Sequence, residues 1–253
     1  MTKSVSELKV KVFADGADMP SMLELYRQPY IKGFTTNPTL MRKAGVTDYE
    51  RFAREILRHI PDRPISFEVF ADDEIEMERQ ARKIARWAGN VYVKIPVTNT
   101  RRESMQNLIR RLSSDGIQIN ATALLSLDQV RHIAHALMGG APSYISVFAG
   151  RIADTGRDPV PLMKSALEIM AAEPNSQLVW ASPRELLNII QADEIGCHII
   201  TVTSDVLKKI PLIGKDLHDY SLETVKMFHN DAAHSGYKLE IATQERPVGS
   251  LTS

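Results

Sequence analysis

The sequence predicts an α/β protein built as a single (β/α)₈ TIM barrel. Eight short apolar segments rich in β-branched residues recur along the 253-residue chain, and segments with helical periodicity separate them. Such alternation implies parallel strands joined by crossover helices, and eight strand–helix units occupy roughly 250 residues. Chain length alone does not separate one barrel-sized domain from two small ones, so the periodicity carries the prediction.

The eight predicted strands follow one another along the chain. They are Leu8–Phe13, Gly33–Thr36, Ile65–Phe70, Val91–Ile95, Ile117–Thr122, Tyr144–Phe148, Gln177–Ala181 and His198–Thr203. An open, doubly wound sheet is the alternative, and it usually has a glycine-rich phosphate loop, G-x-G-x-x-G, after its first strand. The segment Asp15–Asp18 reads DGAD instead, which favours the barrel.

The predicted helices are amphipathic and have local start and stop signals. Two apolar faces show the period: Tyr49, Phe52, Ala53, Ile56 and Ile60 form one, and Met77, Ala81, Ile84, Ala85 and Ala88 form another. Two pairs have the spacing of capping boxes: Thr47 with Glu50, and Ser126 with Gln129. Gly89 is expected to end the helix before it in a left-handed conformation.

One domain is expected to span residues 1–237. It comprises the barrel and a last helix at Ser221–Ala233, which covers the barrel or packs on a neighbouring subunit. Residues 238–253 are expected to form a C-terminal tail. The chain shows no linker, repeat or low-complexity stretch.

Composition and charge exclude several classes of function. Lys+Arg and Asp+Glu both number 31, so no overall positive field attracts nucleic acid. The segment Met1–Lys11 is polar rather than apolar like a signal peptide, and no apolar run approaches the length of a membrane span. A cytoplasmic protein with no membrane partner is expected. Cys197 is the only cysteine, so no intrachain disulfide forms, and its apolar neighbours predict a buried structural thiol.

Polar residues recur at the predicted carboxyl ends of the strands, where this fold builds its active sites. They are Asp15, Asn37, Glu68, Lys94, Thr122, Ser146, Arg151, Ser182 and Arg184. Each alone has an ordinary explanation, because turns favour Asp and Asn and a lysine can extend out of a strand end. Their joint placement predicts a site.

Lys94 is the most informative of these residues, because the strand that contains it, Val91–Pro96, otherwise reads as apolar. A lysine amine in such a setting can be neutral near pH 7 and attack a carbonyl, as in Schiff-base enzymes. An ordinary lysine at the strand mouth, or one paired with Glu68, is the alternative interpretation.

Asp15 and Glu68 are candidate proton-transfer groups. Imine chemistry needs an acid to expel hydroxide from the carbinolamine and a base to drive carbon–carbon cleavage, although turn or salt-bridge roles would explain both residues equally well. The Asn37 amide can hold a hydroxyl or carbonyl oxygen, but the local sequence favours an Asn-Pro turn. Thr122 can hold a water, or it is simply a β-former.

Arg151 and the segment Ser182–Glu185 indicate an anion site. Arginine binds phosphate bidentately, and a helix N-terminus offers free backbone N–H groups. The alternative is purely structural, because Ser182 with Glu185 also has the spacing of a capping box, with Pro183 at the first helical position. Phosphate sites of this fold often follow the seventh and eighth strands, which favours the functional interpretation.

Six motifs together resemble the transaldolase family, specifically its small members, which include the fructose 6-phosphate aldolases. The order and spacing of these motifs make the resemblance specific, and it covers most of the chain. They are TTNPTL at 35–40, SFE at 66–68, VKIP at 93–96, NAT at 120–122, SVFAGRI at 146–152 and ASPR at 181–184.

The resemblance implies a role for each matched residue. Lys94 would form the Schiff base, Asp15 would be the acid/base, and Glu68 with Thr122 would position the catalytic water. The substrate would be held at two further places. These are the dihydroxyacetone site at Asn37 and Ser146, next to Phe148, and the phosphate site at Arg151, Ser182 and Arg184.

The resemblance also implies sugar-phosphate substrates, no metal or organic cofactor, and a homo-oligomer, often a pentamer or decamer. Glu68 and Phe148 are of transaldolase type, whereas the aldolase subgroup has Gln and Tyr at these positions. The expected reaction is transfer of a dihydroxyacetone unit from a ketose phosphate to an aldose phosphate. The alternatives are an aldolase that releases free dihydroxyacetone and a non-catalytic sugar-phosphate-binding barrel.

Three departures from the family pattern bear on the substrate. The segment Phe13–Gly16 replaces the usual setting of the acid/base aspartate, and Pro183 stands where an aromatic residue is common. The segment Ala192–Lys209 also differs. The natural substrate is therefore not fixed as a sugar phosphate of the pentose phosphate pathway.

Overall fold

The computed structural model describes residues 5–239, which divide after Ile213 into two compact units. The first unit is a closed barrel in which eight parallel strands pair in chain order and the eighth pairs with the first. The strands are β1 Lys11–Asp15, β2 Ile31–Thr35, β3 Ile65–Glu68, β4 Val91–Pro96, β5 Ile119–Leu124, β6 Ser143–Val147, β7 Ser176–Trp180 and β8 Ile199–Thr203. The predicted α/β (β/α)₈ barrel is confirmed, with strand boundaries shifted by a few residues.

Helices follow every strand of the barrel. They are α1 Met19–Tyr26, α2 Pro38–Lys43, α3 Tyr49–His59, α4 Glu74–Ala85, α5 Gln106–Ser114, α6 Leu127–Leu137, α7 Ala149–Ala153, α8 Pro159–Met170, α9 Leu187–Glu194 and α10 Ser204–Leu207. Short 3₁₀ turns occupy Val5–Glu7 and Ile210–Leu212. Apolar faces of the helices pack on the outer faces of the strands; on α3, for example, Phe52, Ala53 and Ile56 are buried.

An aromatic cluster fills the barrel below its carboxyl-terminal mouth. The ring centroids of Phe13 and Tyr144 lie 5.8 Å apart, and the Tyr144 ring stacks on Tyr92 at 3.9 Å. These rings come from β1, β6 and β4, so they meet inside the barrel. Gly33 on β2 makes room for them, because a Cβ at this position would lie 2.6 Å from the Phe13 ring. The cluster closes the interior and forms a base on which a site can be built.

The local start and stop predictions have mixed outcomes. Ser126 and Gln129 form the predicted capping box of α6. The Thr47–Glu50 box is wrong, because Asp48 caps α3 by accepting a hydrogen bond from the Arg51 N–H at 2.9 Å. An aspartate next to the threonine supplies a stronger acceptor, and the helix starts one residue later than predicted.

The prediction for Gly89 is also wrong. Helix α4 ends at Ala85 and is closed by Arg86 in a right-handed conformation, and Gly89 is not among the residues with positive φ. The cap N–H of Arg86 bonds back to helix carbonyls, so the helix needs no left-handed residue to close it.

The second unit contains one long helix, α11, at Leu217–Ser235. It includes the predicted 221–233 and is longer because Asp216 caps its first turn and Gly236, with φ 69°, ends it. None of its described side chains is buried, and Leu217, Val225 and Phe228 are each at least 60% exposed. Most of the predicted tail at 238–253 lies outside the described residues, so the boundary at 237 stays a prediction.

Candidate active site

A cavity of about 530 Å³ opens at the carboxyl ends of the strands. All ten predicted site residues line it: Asp15, Asn37, Glu68, Lys94, Thr122, Ser146, Phe148, Arg151, Ser182 and Arg184. The fold therefore brings together residues as far apart in the sequence as Asp15 and Arg184. The site also contains residues that the sequence did not indicate, among them Thr35, Lys43 and Thr201.

Lys94 lies in β4 with only 7% of its surface exposed. Its Nζ donates a hydrogen bond to the Thr36 carbonyl oxygen at 3.1 Å and lies 3.2 Å from Glu68 Oε2. The strand register causes this pairing, because Glu68 of β3 and Lys94 of β4 are direct partners in the sheet. The amine is held at the cavity wall with a carboxylate close enough to exchange a proton with it.

The Glu68 main chain is fixed from outside the barrel. The hydroxyl of Tyr49 on α3 donates to the Glu68 carbonyl oxygen at 2.9 Å, and burial raises the pKa of the Tyr49 phenol. The hydroxyl therefore keeps its proton at physiological pH and remains a donor. The Tyr49 ring also packs edge-on against Phe67, with centroids 6.2 Å apart, so a helix residue locks the end of β3.

Asp15 ends β1 and meets a hydroxyl of the next strand. Thr35 Oγ1 donates to Asp15 Oδ1 at 2.8 Å, and Thr35 in turn contacts the hydroxyl of Thr201. Burial raises the pKa of the Asp15 carboxyl; the Lys94 charge and the Thr35 hydrogen bond oppose this, while the Glu68 charge adds to it. A carboxyl with a raised pKa is better able to take and return a proton than one at its ordinary value.

Asn37 is both a helix cap and a cavity residue. Its Oδ1 accepts a hydrogen bond from the Leu40 N–H at 3.0 Å at the start of α2, and Pro38 follows at the first helical position. The structural interpretation made from the sequence is thus correct for the side-chain oxygen. The NH₂ group of the same amide remains as the donor available to a ligand.

Ser146 belongs to a buried polar chain that crosses three strands. Its Oγ donates to Asn120 Oδ1 at 2.7 Å, and Asn120 Nδ2 donates to Ser66 Oγ at 2.9 Å. Asn120 is fully buried and was not predicted as a site residue. This chain fixes the Ser146 proton toward Asn120, which leaves the Ser146 oxygen as an acceptor facing the cavity.

Thr122 lies two residues beyond Asn120 on the same face of β5. Its buried Oγ1 has no hydrogen-bond partner among the described residues. Ala123 follows with φ 63°, and the pairing of β5 with β6 shifts register between Ala121 and Leu124. A buried hydroxyl that has no protein partner and lines the same cavity as a lysine amine is a place where a ligand or water oxygen can bind.

Three predicted phosphate ligands lie on the β6 and β7 side of the cavity. Arg151, on α7, has its guanidinium carbon 5.8 Å from the centre of the Phe148 ring. Arg184 Nε donates to Asp154 Oδ1 at 2.9 Å, and its Nη2 donates to Asp154 Oδ2, so the guanidinium is held bidentately. Ser182 stands between them in sequence and has a left-handed φ of 56°.

The capping box at Ser182 and Glu185, the structural alternative to an anion site, is wrong. Helix α9 begins at Leu187, and the Arg184 and Glu185 N–H groups donate to Asn188 Oδ1 at 2.8 and 3.2 Å. A side chain inside the helix reaches back and holds the preceding loop, so Pro183 is not at the first helical position. The Ser182 hydroxyl is consequently not used as a helix cap.

Gly150 allows the loop at Ser182 to approach α7. A Cβ at this position would lie 1.5 Å from the Ser182 carbonyl oxygen and 3.3 Å from Arg184 Nε. A side chain fits there only if the loop moves, because real Cβ contacts essentially never fall below 3.0 Å. The distance between the β6 and β7 parts of the site is therefore set by this glycine.

The model of one family, transaldolase/fructose-6-phosphate aldolase, matches residues 12–245. The chain belongs to this family. A probable transaldolase of Dehalococcoides mccartyi is 35% identical over 202 residues, which cover 79% of this chain and 90% of that protein. A probable transaldolase of Clostridium acetobutylicum is 37% identical over 215 residues, or 85% of this chain and 94% of that protein. The resemblance predicted from the six motifs is confirmed.

Among solved structures, the 3-hexulose-6-phosphate synthase from Salmonella typhimurium has a TM-score of 0.52 with 15% sequence identity. The match covers 78% of this chain and 89% of that one. At this identity the likeness shows a common fold and carries no information on chemistry.

Two absences concern only the part of the chain that the structure describes. Within residues 5–239, no helix combines the length and apolar character needed to cross a bilayer. In the same part of the chain, no group of three or more His, Cys, Asp and Glu side chains could hold a metal ion. Cys197 is buried as predicted, and burial raises the pKa of its thiol to about 12.

Two of the missed cavity residues, Thr35 and Thr201, occupy equivalent positions on their strands. Thr35 and Thr201 each lie two residues beyond an interior residue of their strand, Gly33 and Ile199, so the period of two places them on the inner face. Because every second residue of a strand faces the barrel interior, the inward-facing positions near the carboxyl end of each strand are candidate site residues. That rule includes both Thr35 and Thr201. Lys43 lies on a helix, and its position at the cavity depends on the direction of α2.

Proposed function

We propose that this protein transfers a dihydroxyacetone unit from a ketose phosphate to an aldose phosphate through a Schiff base on Lys94. The observation that carries the proposal is one buried amine that has a carboxylate 3.2 Å away and shares its cavity with a second, partly buried carboxyl, Asp15. Amine catalysis of carbonyl chemistry needs this combination of a nucleophile and two proton-transfer groups. The family membership supports a transaldolase-type reaction.

Imine formation would involve Lys94, Glu68 and Thr122. The Lys94 ammonium group passes one proton to the Glu68 carboxylate, and the resulting amine attacks the ketone carbon. A second nitrogen proton moves to the carbonyl oxygen, which becomes the carbinolamine hydroxyl. Glu68, through a water bound at the Thr122 hydroxyl, returns the proton to that hydroxyl, which leaves as water. The product is an iminium ion on Lys94, whose positive charge lies close to the carboxylate that formed its ion pair.

Carbon–carbon cleavage would use Asp15. Its carboxylate removes the C4 hydroxyl proton, the C3–C4 bond breaks, and the electron pair moves into the iminium nitrogen to give an enamine. The aldose phosphate departs with a new aldehyde. An acceptor aldehyde then takes the enamine carbon, and protonated Asp15 returns its proton to the new C4 oxygen. Water hydrolyses the product iminium ion by the reverse of imine formation, which frees Lys94 and balances atoms and protons over the cycle.

Binding groups at the two ends of the cavity would hold the substrate. The Asn37 amide and the Ser146 oxygen suit the hydroxyls of the three-carbon unit, and Phe148 lines the same cavity. Arg151, Ser182 and Arg184 suit the phosphate at the distal end. Two fixed ends hold the reacting bond near Lys94 and Asp15, and such positioning accounts for a large part of catalysis.

Borohydride trapping tests the Lys94 assignment. Wild type, Lys94→Ala and Lys43→Ala are incubated with fructose 6-phosphate or sedoheptulose 7-phosphate, reduced, and examined by intact and peptide mass spectrometry. Lys43 lies in the same cavity and is the matched control. A three-carbon adduct on Lys94, retained in Lys43→Ala and lost in Lys94→Ala, is expected. An adduct on another lysine, or none in the folded wild type, would refute the proposal.

Product analysis without an acceptor separates transferase from aldolase. A transferase keeps the three-carbon unit bound and releases one equivalent of aldose phosphate, whereas an aldolase releases free dihydroxyacetone on every turnover. We expect the first result, because Glu68 and Phe148 are of the transaldolase type. Steady release of dihydroxyacetone would assign the aldolase reaction instead.

We also propose a homo-oligomer, a pentamer or decamer, in the cytoplasm, acting on sugar phosphates of carbohydrate metabolism such as those of the pentose phosphate pathway. Exposed apolar side chains along α11, including Leu217, Val225 and Phe228, support subunit association. Sedimentation of wild type and Phe228→Lys tests it. A monomeric wild type would contradict the proposal.

A further inference from the structure

Three side chains of the cavity, from three adjacent strands, are joined by hydroxyl hydrogen bonds. Thr201 on β8 contacts Thr35 on β2 through their Oγ1 atoms, and Thr35 Oγ1 lies 2.8 Å from Asp15 Oδ1 on β1, the strand between them. Thr35 is 3% exposed and Thr201 is 6% exposed. Buried hydroxyls that meet in this way have fixed roles as donors and acceptors.

The number of hydroxyl protons fixes which group donates in each of these hydrogen bonds. A threonine hydroxyl has one proton, and Thr35 uses its proton to donate to Asp15. Thr35 can therefore only accept from Thr201, and the order is Thr201 to Thr35 to Asp15. A donor that itself accepts a hydrogen bond is polarised and binds its acceptor more strongly.

We propose that Thr201 is a positioning residue for Asp15 that acts through the Thr35 hydroxyl. This inference rests on the proposed function, in which Asp15 takes the C4 hydroxyl proton. The hydrogen bond from Thr35 holds Asp15 Oδ1, whereas Asp15 Oδ2 has no hydrogen-bond partner among the described residues. Oδ2 is thereby the oxygen directed to the substrate, and it later returns the same proton to the acceptor oxygen.

The two charged groups near Asp15 oppose each other in their effect on its pKa, so neutral hydroxyls can also influence that pKa. Lys94 on β4 and Glu68 on β3 act on Asp15 with opposite sign, and the strands beside it contribute Thr35 and Thr201. Burial raises the pKa of Asp15, and the Thr35 donor lowers it. Removing the Thr201 proton weakens Thr35 as a donor, so the Asp15 pKa rises further and its carboxylate loses one constraint.

Thr201→Val tests the inference, since valine has nearly the shape of threonine without the hydroxyl. Thr201→Ser restores the donor. Ser143→Ala is the control for loss of a buried barrel hydroxyl, because Ser143 lies at the opposite end of the barrel, where its Oγ donates to the Ala141 carbonyl oxygen. All variants are first compared for thermal unfolding.

The mass of the borohydride-trapped adduct separates imine formation from cleavage. Imine formation does not use Asp15, so Thr201→Val should still be labelled on Lys94. Its adduct should shift from the three-carbon unit toward the intact ketose phosphate, with cleavage slowed by about tenfold. Thr201→Ser and Ser143→Ala should give the wild-type adduct. A wild-type adduct in Thr201→Val, or complete loss of labelling, would overturn the inference.

Titration of the Asp15 carboxyl by ¹³C NMR gives a second readout that needs no activity. In Thr201→Val the midpoint should rise by a few tenths of a pH unit, and in Thr201→Ser it should stay at the wild-type value. An unchanged midpoint in Thr201→Val would contradict the role of Thr201. If wild type forms no adduct, the proposed function fails, while the titration still decides whether Thr201 acts on Asp15.

Discussion

Gly150→Ala should damage the phosphate end of the site and spare the lysine. The new Cβ would lie 1.5 Å from the Ser182 carbonyl oxygen, and ordinary contact begins at 3.4 Å, so the loop must retreat by about 1.9 Å (3.4 − 1.5). That loop includes Ser182 and Arg184. Because misplacement of a binding group by 1 Å can cost about 10²-fold in rate, we expect kcat/KM to fall at least that far with phosphorylated acceptors.

The assay compares acceptors with and without phosphate. For Gly150→Ala, kcat/KM with glyceraldehyde 3-phosphate should fall much more than kcat/KM with glyceraldehyde, and the three-carbon adduct should still form on Lys94. Overpacking should also lower the free energy of unfolding by about 1–3 kcal/mol. Gly89→Ala is the matched control, because a Cβ there meets nothing within 4 Å. Equal losses for both acceptors would refute the reasoning.

Two further substitutions test the electrostatics of the site. Asp15→Asn should slow cleavage by about 10²-fold or more and yet raise the melting temperature at pH 7. The sign follows from the raised pKa: the folded state binds the Asp15 proton more tightly than the unfolded state, so ionised Asp15 costs stability once the pH passes about 3.9. A lower melting temperature measured by calorimetry would contradict this. In the wild type, the decrease of kcat/KM toward acid should have its midpoint above about pH 3.9, the ordinary pKa of an aspartate. Asp154→Asn should raise KM for phosphorylated acceptors about threefold to tenfold with little change in kcat. The reason is that the substitution weakens the ion pair that holds Arg184 in place. A lower KM would mean instead that Asp154 competes with the phosphate for Arg184.

The fold could be predicted because strand pattern and chain order determine it almost completely. Eight β-branched segments that alternate with helices predict either a closed barrel or an open, doubly wound sheet. The glycine-rich loop that is typical of the open sheet is missing, which favours the closed barrel. The ends of several strands were predicted one or two residues away from where they lie. The third strand, for example, ends at Glu68 and not at Phe70, because the buried Val69 in the following loop reads like a strand residue. Helix ends were less predictable. In both α3 and α9 a different side chain from the expected one holds the backbone at the helix start. Asp48 accepts from the Arg51 N–H, and Asn188 accepts from the Arg184 and Glu185 N–H groups.

The candidate site was predicted where a residue was unusual for its strand and missed where it was not. Lys94 stands out in an apolar strand, and Arg151 and Arg184 follow strands directly. Thr35 and Thr201 read as ordinary β-formers, and only the closed sheet shows that β1 separates β8 from β2 so that their hydroxyls meet beside Asp15. A contact of this kind depends on closure of the barrel, and no local sequence pattern contains it.

The period of two along each strand explains how one barrel can be both a stable core and a reactive cavity. Phe13, Tyr92 and Tyr144 pack inside the barrel, and two residues further along their strands the same face presents Asp15, Lys94 and Ser146. The aromatic layer excludes water from beneath the polar layer and keeps Lys94 and Asp15 desolvated from that side. A smaller side chain in the aromatic layer should therefore change proton transfer above it as well as stability, since both depend on the same dry interior.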